Sequence, residues 1–390
     1  MESFYLRNKS SEQGSALVLV LLLLAFLSIL VADFLYRVRI NSYLTYNRTE
    51  QIRARFLAQA GISASEGLLL HSSPFNRNFR GNFQNQFINL FECSCFSKPG
   101  LFGFTASSEE QEQEELSSDC GAWKLVLEWP VEEDTLRVEI SNERARINLN
   151  ALVMKPMGEE GAQENPDFRP IVSELFKYRI KELGIELSEE EIEGIIDLIV
   201  DWLDYGQAGG VFDHDLNDIY QDGDRIYFNK NGPMDTLSEL RMIPGITEQV
   251  YYALKDYFTV YPLDAVDNRN FSPRVSLDLA NLGVVYAVLR GSSYQGGIPQ
   301  LSEEEALEYA REIVSSGVGE NGFLKEREIP TQLRNQLNKF QQRLDAIPTF
   351  RYYRVVSTAL TSGGVVYTIE AVMVVGGGWE KPRYLYWREG

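Results

Sequence analysis

Residues 15–40 read SALVLVLLLLAFLSILVADFLYRVRI, and the polar leader MESFYLRNKSSEQG of residues 1–14 precedes them. No charge occurs from Ala16 to Ala32; Asp33, Arg37 and Arg39 then follow in a segment that keeps helical character. At about 17 residues the uncharged run reaches the lower limit for a helix that crosses a bilayer. A secretory signal carries a small-residue cleavage site beyond its apolar run, and none stands there. Gly14-Ser15 supplies a small, flexible pair at the polar/apolar boundary instead, where a protease at the cytoplasmic face of a membrane can reach it. The stretch therefore reads as an anchor that the working protein keeps, with the cut ahead of it.

Working outward, the helix continues: Ile52, Phe56, Ala60, Ala64 and Leu68 recur every four residues, the spacing of one helical face. The pattern predicts one helix from about Ser15 to Leu70, roughly 80 Å long at 1.5 Å per residue. After Arg48 that apolar face is expected to pack on the protein's own sheet. From His71 to Gly121 the chain is loop-like, with NRNFRGNFQNQFINLF followed by the acidic SSEEQEQEELSSD. Strands follow in AWKLVLEW and TLRVEISNERARINLN, joined by a turn at Glu132–Asp134 and read as an antiparallel pair.

From about Ala151 to Ala346 the periods are helical. Ser188 with Glu191, Thr236 with Glu239, and Ser302 with Glu305 each make the S/T-x-x-E pattern of a capping box ahead of apolar residues. Strand character returns in FRYYRVVSTAL, in GGVVYTIEAVMVV and in KPRYLYWRE. The fold class expected is α+β, a long N-terminal helix packed on an antiparallel sheet, with a large all-α insertion. The segments are a leader (1–14), a membrane part of the helix (15–40), the first part of the α/β domain (41–150), the helical insertion (151–346) and the closing strands (347–390).

The chain has 390 residues and a formal net charge of −19. Such a balance argues against binding a nucleic-acid backbone, which needs Lys and Arg to displace counterions. Cys93, Cys95 and Cys120 fall in one stretch, and His71 and His214 are not spaced to complete a zinc site with them. In an oxidising compartment Cys120 can bridge to Cys93 or to Cys95, which leaves one thiol over. No nucleophile stands at a recognisable spacing from a histidine, and no Gly-rich phosphate loop with lysine occurs, so the chain reads as no enzyme. DTLSELRMIPGITEQVYYAL reads as a helix-hairpin-helix unit turning at Pro244-Gly245, with Leu237, Leu240, Ile246, Val250 and Leu254 between its helices. DNA-binding hairpins hold a phosphate there; Asp235, Glu239 and Glu248 against Arg241 alone make it a packing device. DHDLNDIYQDGD sets Asp213, Asp215 and Asn217 at the first spacings of a calcium loop and Asp224 near its end, while Asp218 occupies the position of the usual glycine. Asp201 and Asp204 lie just upstream of this acidic turn.

The leader, glycine and apolar helix resemble the class III leaders of type IV pilins and pseudopilins. Most members carry a glutamate fifth in the mature chain; here Leu19 stands fifth after Gly14, a departure that resembles the K-type minor pseudopilins of type II secretion. The resemblance extends in order through Asn148-Leu149-Asn150, Asp201-Trp202-Leu203-Asp204, Asn231-Gly232-Pro233, Ser238-Glu239-Leu240, Ile243-Pro244-Gly245 and Tyr386-Trp387-Arg388-Glu389. Between Asp204 and Tyr220 the family usually shows a second aspartate and a Gly-Ala-Glu step, where this chain has Gly206 and Asp213-His214-Asp215. The resemblance implies a non-catalytic tip subunit of the pseudopilus, processed by prepilin peptidase and held in the bacterial inner membrane by a single span, with its bulk periplasmic. It implies the I-type and J-type minor pseudopilins and the major pseudopilin as partners, and Ca²⁺ as the ion of the acidic turn. A second reading, a membrane-anchored pilus or competence component whose hairpin touches DNA, shares the same anchor.

Overall fold

The structure is a computed structural model that describes residues 10–71, 124–154, 163–204, 221–222, 225–226, 229–261, 271–277, 279–293, 300–316, 337, 339–340, 350–376 and 381–390. Helix α1 spans Ser10–His71, 62 residues without a break. Five strands form one sheet: β1 (Lys124–Val131), β2 (Asp134–Asn142), β3 (Phe350–Leu360), β4 (Val366–Gly376) and β5 (Arg383–Glu389). They lie in chain order, each antiparallel to the next. The sheet is thus a meander, and the helical insertion leaves after β2 and returns at β3, its immediate neighbour. The expected fold class is the one observed.

The β1–β2 hairpin closes with Val131 opposite Asp134 and a left-handed φ of 58° at Glu132, the sign that two-residue hairpin loops demand. The expected second strand ran on to Asn150, but it stops at Asn142. There the Asn142 side chain accepts the Arg144 N–H and starts a one-turn 3₁₀ helix over Glu143–Ala145. Local side-chain hydrogen bonding of this kind competes with the ladder.

The sheet has two covered faces. Alternate residues Val138, Ile140, Val355, Ala359, Ala371 and Met373 point to α1 and form one core with Ala54, Ala58, Ile62 and Leu69. The face of α1 that packs is therefore not the expected one: Ile52 and Phe56 are exposed and Ala60 and Ala64 lie outside, while the buried line is Ala54, Ala58, Gly61, Ile62, Ser65 and Leu69. The cause is the closeness of approach. A Cβ on Gly61 would stand 2.8 Å from Val138 Cγ2 and would collide with Ser357, so the closest approach falls at a residue without a side chain, while Ile62 and Leu69 supply the apolar bulk of the buried line. Arg53 pins the helix to the sheet's end through Asp134 at 2.7 Å, and Asp134 in turn accepts the Ser362 N–H of the β3–β4 turn.

The opposite face contributes Tyr352, Val372 and Val374 to a larger, helical core. Its elements are α2 (Arg169–Glu182), α3 (Glu189–Leu203), a 3₁₀ segment at Leu237–Met242, α4 (Glu248–Leu254), α5 (Leu282–Ser293) and α6 (Glu303–Ser316). The Ser188 and Ser302 starts are built as expected. In each, the serine hydroxyl accepts the N–H three residues on, and the glutamate accepts from the serine N–H. At Thr236 the Glu239 carboxylate accepts the Thr236 N–H at 3.1 Å, but the segment it opens is 3₁₀ rather than α. Helices α2 and α5 cross where Gly291 meets the Ile171 backbone; a Cβ there would lie 2.5 Å from the Ile171 Cα.

Candidate functional site

In α1 the large apolar residues from Leu17 through Tyr46 are all exposed, and Leu19 is 66% exposed. The helix is long and apolar enough to cross a membrane. Gly14 and Ser15 lie inside its first turns, because the helix begins at Ser10 rather than after the glycine. Asp33 pairs with Arg37 one turn later at 2.9 Å, and the Arg39 guanidinium lies 5.9 Å from the Tyr43 ring centroid. With Tyr36 and Tyr46, these side chains have the aromatic and basic character that suits a membrane–water boundary. From residue 17 onward, the first buried residue of α1 is Glu50.

Far from the anchor, the short sequence motifs lock into one another. Asn148 Oδ1 accepts the Asn150 N–H at 3.0 Å. The fully buried Asn150 amide then donates to the Met234 and Val260 carbonyls and accepts the Met234 N–H at 2.8 Å. One side chain thereby satisfies backbone groups of two separate segments that would otherwise be buried unpaired. Trp202 Nε1 donates to Glu239 at 3.2 Å, its carbonyl accepts the Gly232 N–H, and Lys230 ties Glu239 to Asp235. The Asp-Trp-Leu-Asp, Asn-Gly-Pro and Ser-Glu-Leu steps are therefore parts of one clamp.

At the C-terminal end of α3, Asp201 Oδ2 accepts from the Asn229 amide at 3.0 Å, and the same amide donates to Asn231 Oδ1 at 2.7 Å. Asn231 takes a left-handed φ of 48°. Burial pushes the Asp204 carboxyl up to about 6, with the Asp201 charge adding to it. Two carboxylates and two side-chain amides thus stand together as hard oxygen donors. Sequence reasoning named Asn231 as part of the Asn-Gly-Pro step but did not bring it, or Asn229, to Asp201. Asp213, Asp215, Asn217, Asp218 and Asp224 lie outside the described residues, as do Cys93, Cys95 and Cys120. Among the described residues no group of three or more His, Cys, Asp or Glu is placed to hold a metal.

The hairpin turn packs rather than presents. Gly245, at φ 86°, leaves no room for a Cβ against Ile195 Cγ1, and Leu240, Val250 and Leu254 are buried beside it. Thr247 caps α4 by accepting the Val250 N–H. Arg241, the basic residue of the turn, is stacked 4.1 Å over Tyr251 and paired with Glu248 at 3.1 Å.

Residues 145–263, the span that carries these interlocked motifs, match the family model of the type II secretion system (T2SS), protein K. Type II secretion system protein K of Pectobacterium carotovorum subsp. carotovorum is 25% identical over 281 residues, 71% of this chain and 71% of that protein. A solved structure, the GspK-GspI-GspJ complex from the enterotoxigenic Escherichia coli type 2 secretion system, is similar at 15% identity with a TM-score of 0.42, covering 68% of this chain and 83% of that one. These matches support a minor pseudopilin role in type II secretion, that of a structural component. Asn150, Trp202 and Glu239 are the residues by which the matched unit holds its loops against its helices.

Proposed function

We propose that this minor pseudopilin caps the pseudopilus and starts its assembly, held in the bacterial inner membrane by α1 with its folded part periplasmic. The observation that supports the reading is Leu19. Cleaved after Gly14, the helix has an apolar residue fifth, where a glutamate would neutralise the terminal amine of a neighbouring subunit. An unpaired charge in lipid is costly, so no subunit is served from this position. The helical insertion, folded against the sheet face away from α1, adds bulk that suits an end position rather than a stacked one. The I-type and J-type minor pseudopilins are its tip partners, in keeping with the three chains of the similar E. coli complex, and the major pseudopilin follows below. The part it plays is structural, with no reaction assigned to it.

Calcium belongs to the same proposal. Asp201 and Asp204, with Asn229 and Asn231 beside them, form the described half of a hard-oxygen set, in which the Asp204 carboxyl is raised first by burial and then by the Asp201 charge. Asp213, Asp215, Asn217 and Asp224 would complete it. The ion would join the acidic turn to the end of α3.

The test is co-purification of the full chain, expressed with candidate minor pseudopilins, from detergent-solubilised membranes. A stable complex with the I-type and J-type chains is expected. Leu19→Glu places an acid in the apolar core at a cost of a few kcal/mol unless paired, and should weaken insertion and secretion. Incorporation of Leu19→Glu along the fibre with normal secretion would remove the capping role. The hairpin reading as a DNA contact is disfavoured by Arg241, whose charge is already matched by Glu248 and whose guanidinium is covered by Tyr251.

A further inference from the structure

Between the helical unit and the sheet lies a cleft of about 230 Å³. Leu237, Ser238 and α4 wall it on one side. Its floor is the sheet face that α1 does not cover, at Arg354, Glu370 and Arg388. Three cations reach it, and they differ in how they are spent. Arg354 is committed: its Nε donates to Glu143 at 2.7 Å and its Nη1 lies 3.5 Å from Glu370. Lys255 and Arg388 form no ion pair among the described residues. Lys255 Nζ sits 5.0 Å from the centroid of the Tyr252 ring. Glu370 stands opposite Arg388 in the β4–β5 ladder, yet its nearest charge contact is Arg354. The main chain of Gly390 is used by Thr368 through paired bonds of 2.9 and 3.0 Å.

Elsewhere Arg169 is matched to Glu164, Glu193 and Asp197, and Arg290 to Glu174, whereas the half-buried Arg144 lies 5.8 Å from the Tyr352 ring centroid with no ion pair among the described residues; the cleft differs in bringing two such cations to one place. In a chain of −19, two unmatched cations on one cleft mark it for an incoming carboxylate. The rest of the lining suits a polypeptide. Tyr251, Tyr252 and Tyr386 border the cleft, and Tyr252 is 54% exposed at its mouth. Tyrosine beside arginine is the composition that carries most of the energy in protein interfaces. The volume is below the roughly 300–1,000 Å³ of cofactor and drug-sized pockets, so the occupant is about one side chain in size.

We propose that this cleft is a socket for a single acidic side chain, aspartate or glutamate, presented by an exposed segment of a partner protein. Arg388 offers its planar fork and Lys255 a point charge, while the tyrosine rings cover the methylene stem. The inference goes beyond the capping role and depends on none of its parts.

The full chain in detergent micelles is titrated with acetyl-Gly-Gly-Glu-Gly-Gly-amide and with its Gln counterpart, binding being read by saturation-transfer NMR. The Glu peptide should bind about tenfold more tightly than the Gln peptide, a difference of one electrostatic contact. That preference should vanish in Lys255→Gln/Arg388→Gln and survive in Arg137→Gln, a change at an exposed residue of β2. Arg388 is exposed, so Arg388→Gln alone keeps the test open if the double variant misfolds. Equal binding of the two peptides, or an unchanged preference in the variants, overturns the proposal. Free glutarate binding as tightly as the Glu peptide overturns the assignment to a protein partner.

Discussion

Arg354 Nε donates to Glu143 Oε1 at 2.7 Å although 211 residues of chain separate them. The pair stands where the insertion leaves the sheet after β2 and where the chain returns to it in β3. Glu143 also binds Arg146 at 3.1 Å and accepts from the Thr259 hydroxyl, and Arg146 reaches Ser141 and the Asp256 carbonyl at 2.9 Å each. Both guanidinium groups and the carboxylate are buried, so the orientation of the helical unit on the sheet is fixed by charges that water does not screen.

Removing one partner of a buried pair strands the other, at a cost of about 3–5 kcal/mol. Glu143→Gln should therefore lower the urea midpoint of the folded part sharply. Burial alone would raise the Glu143 carboxyl, but the Arg354 and Arg146 charges overcome it and hold it below its usual value. A depressed carboxyl stabilises the fold above its unfolded pKa and loses that contribution as pH falls through the folded value. Wild type should lose stability below about pH 4.5 more steeply than Glu143→Gln. Parallel acid limbs in the two proteins would mean that the pair does not govern acid stability.

Gly61 is the closest approach of α1 to the sheet. Gly61→Val should cost about 1–3 kcal/mol or more through overpacking against Val138 and Ser357. Phe56→Ser, on the exposed face, should leave the unfolding midpoint within about 0.5 kcal/mol of wild type. Thermal melts of the full chain in detergent compare them, and an equal loss in both would contradict the register described for α1.

If the acidic turn binds calcium, excess Ca²⁺ should raise the melting temperature, and the gain should grow as the ion exceeds its Kd. Asp204 sharpens the test. Its carboxyl is pushed up to about 6, so in chelator its contribution is fully present below about pH 4 and is lost as pH rises through 6. Asp204→Asn should flatten that decline in chelator and also abolish the response to calcium. Superimposable melts in calcium and chelator leave the aspartates as a solvated turn.

Leader processing should cut between Gly14 and Ser15. Amino-terminal sequencing of the membrane form is expected to begin at Ser15, and Gly14→Val should retain the leader. A mature start beyond Ala32 would show that α1 is no anchor.

What the sequence determined by itself was whatever depends on local spacing. The uncharged run from Ala16 specifies α1, alternation specifies the strands, and Ser188 with Glu191 and Ser302 with Glu305 specify two helix starts, because each uses contacts within a few residues. The motif steps at Asn148, Asp201 and Asn231 were visible too, but not what they do. Asn150 clamps Met234 and Val260, and Trp202 reaches Glu239, only when segments 84, 110 and 37 residues apart come together. The same holds for the face of α1. A period of four marks Ile52 and Phe56 as apolar, yet burial goes to Ala54, Ala58, Ile62 and Leu69, since the helix lies closest to the sheet at Gly61, a residue without a side chain. Glu143, Arg354 and the cleft beside them belong wholly to the tertiary structure. Their charges are matched or left unmatched by residues remote in the chain, and no periodicity records which carboxylate a buried arginine will meet.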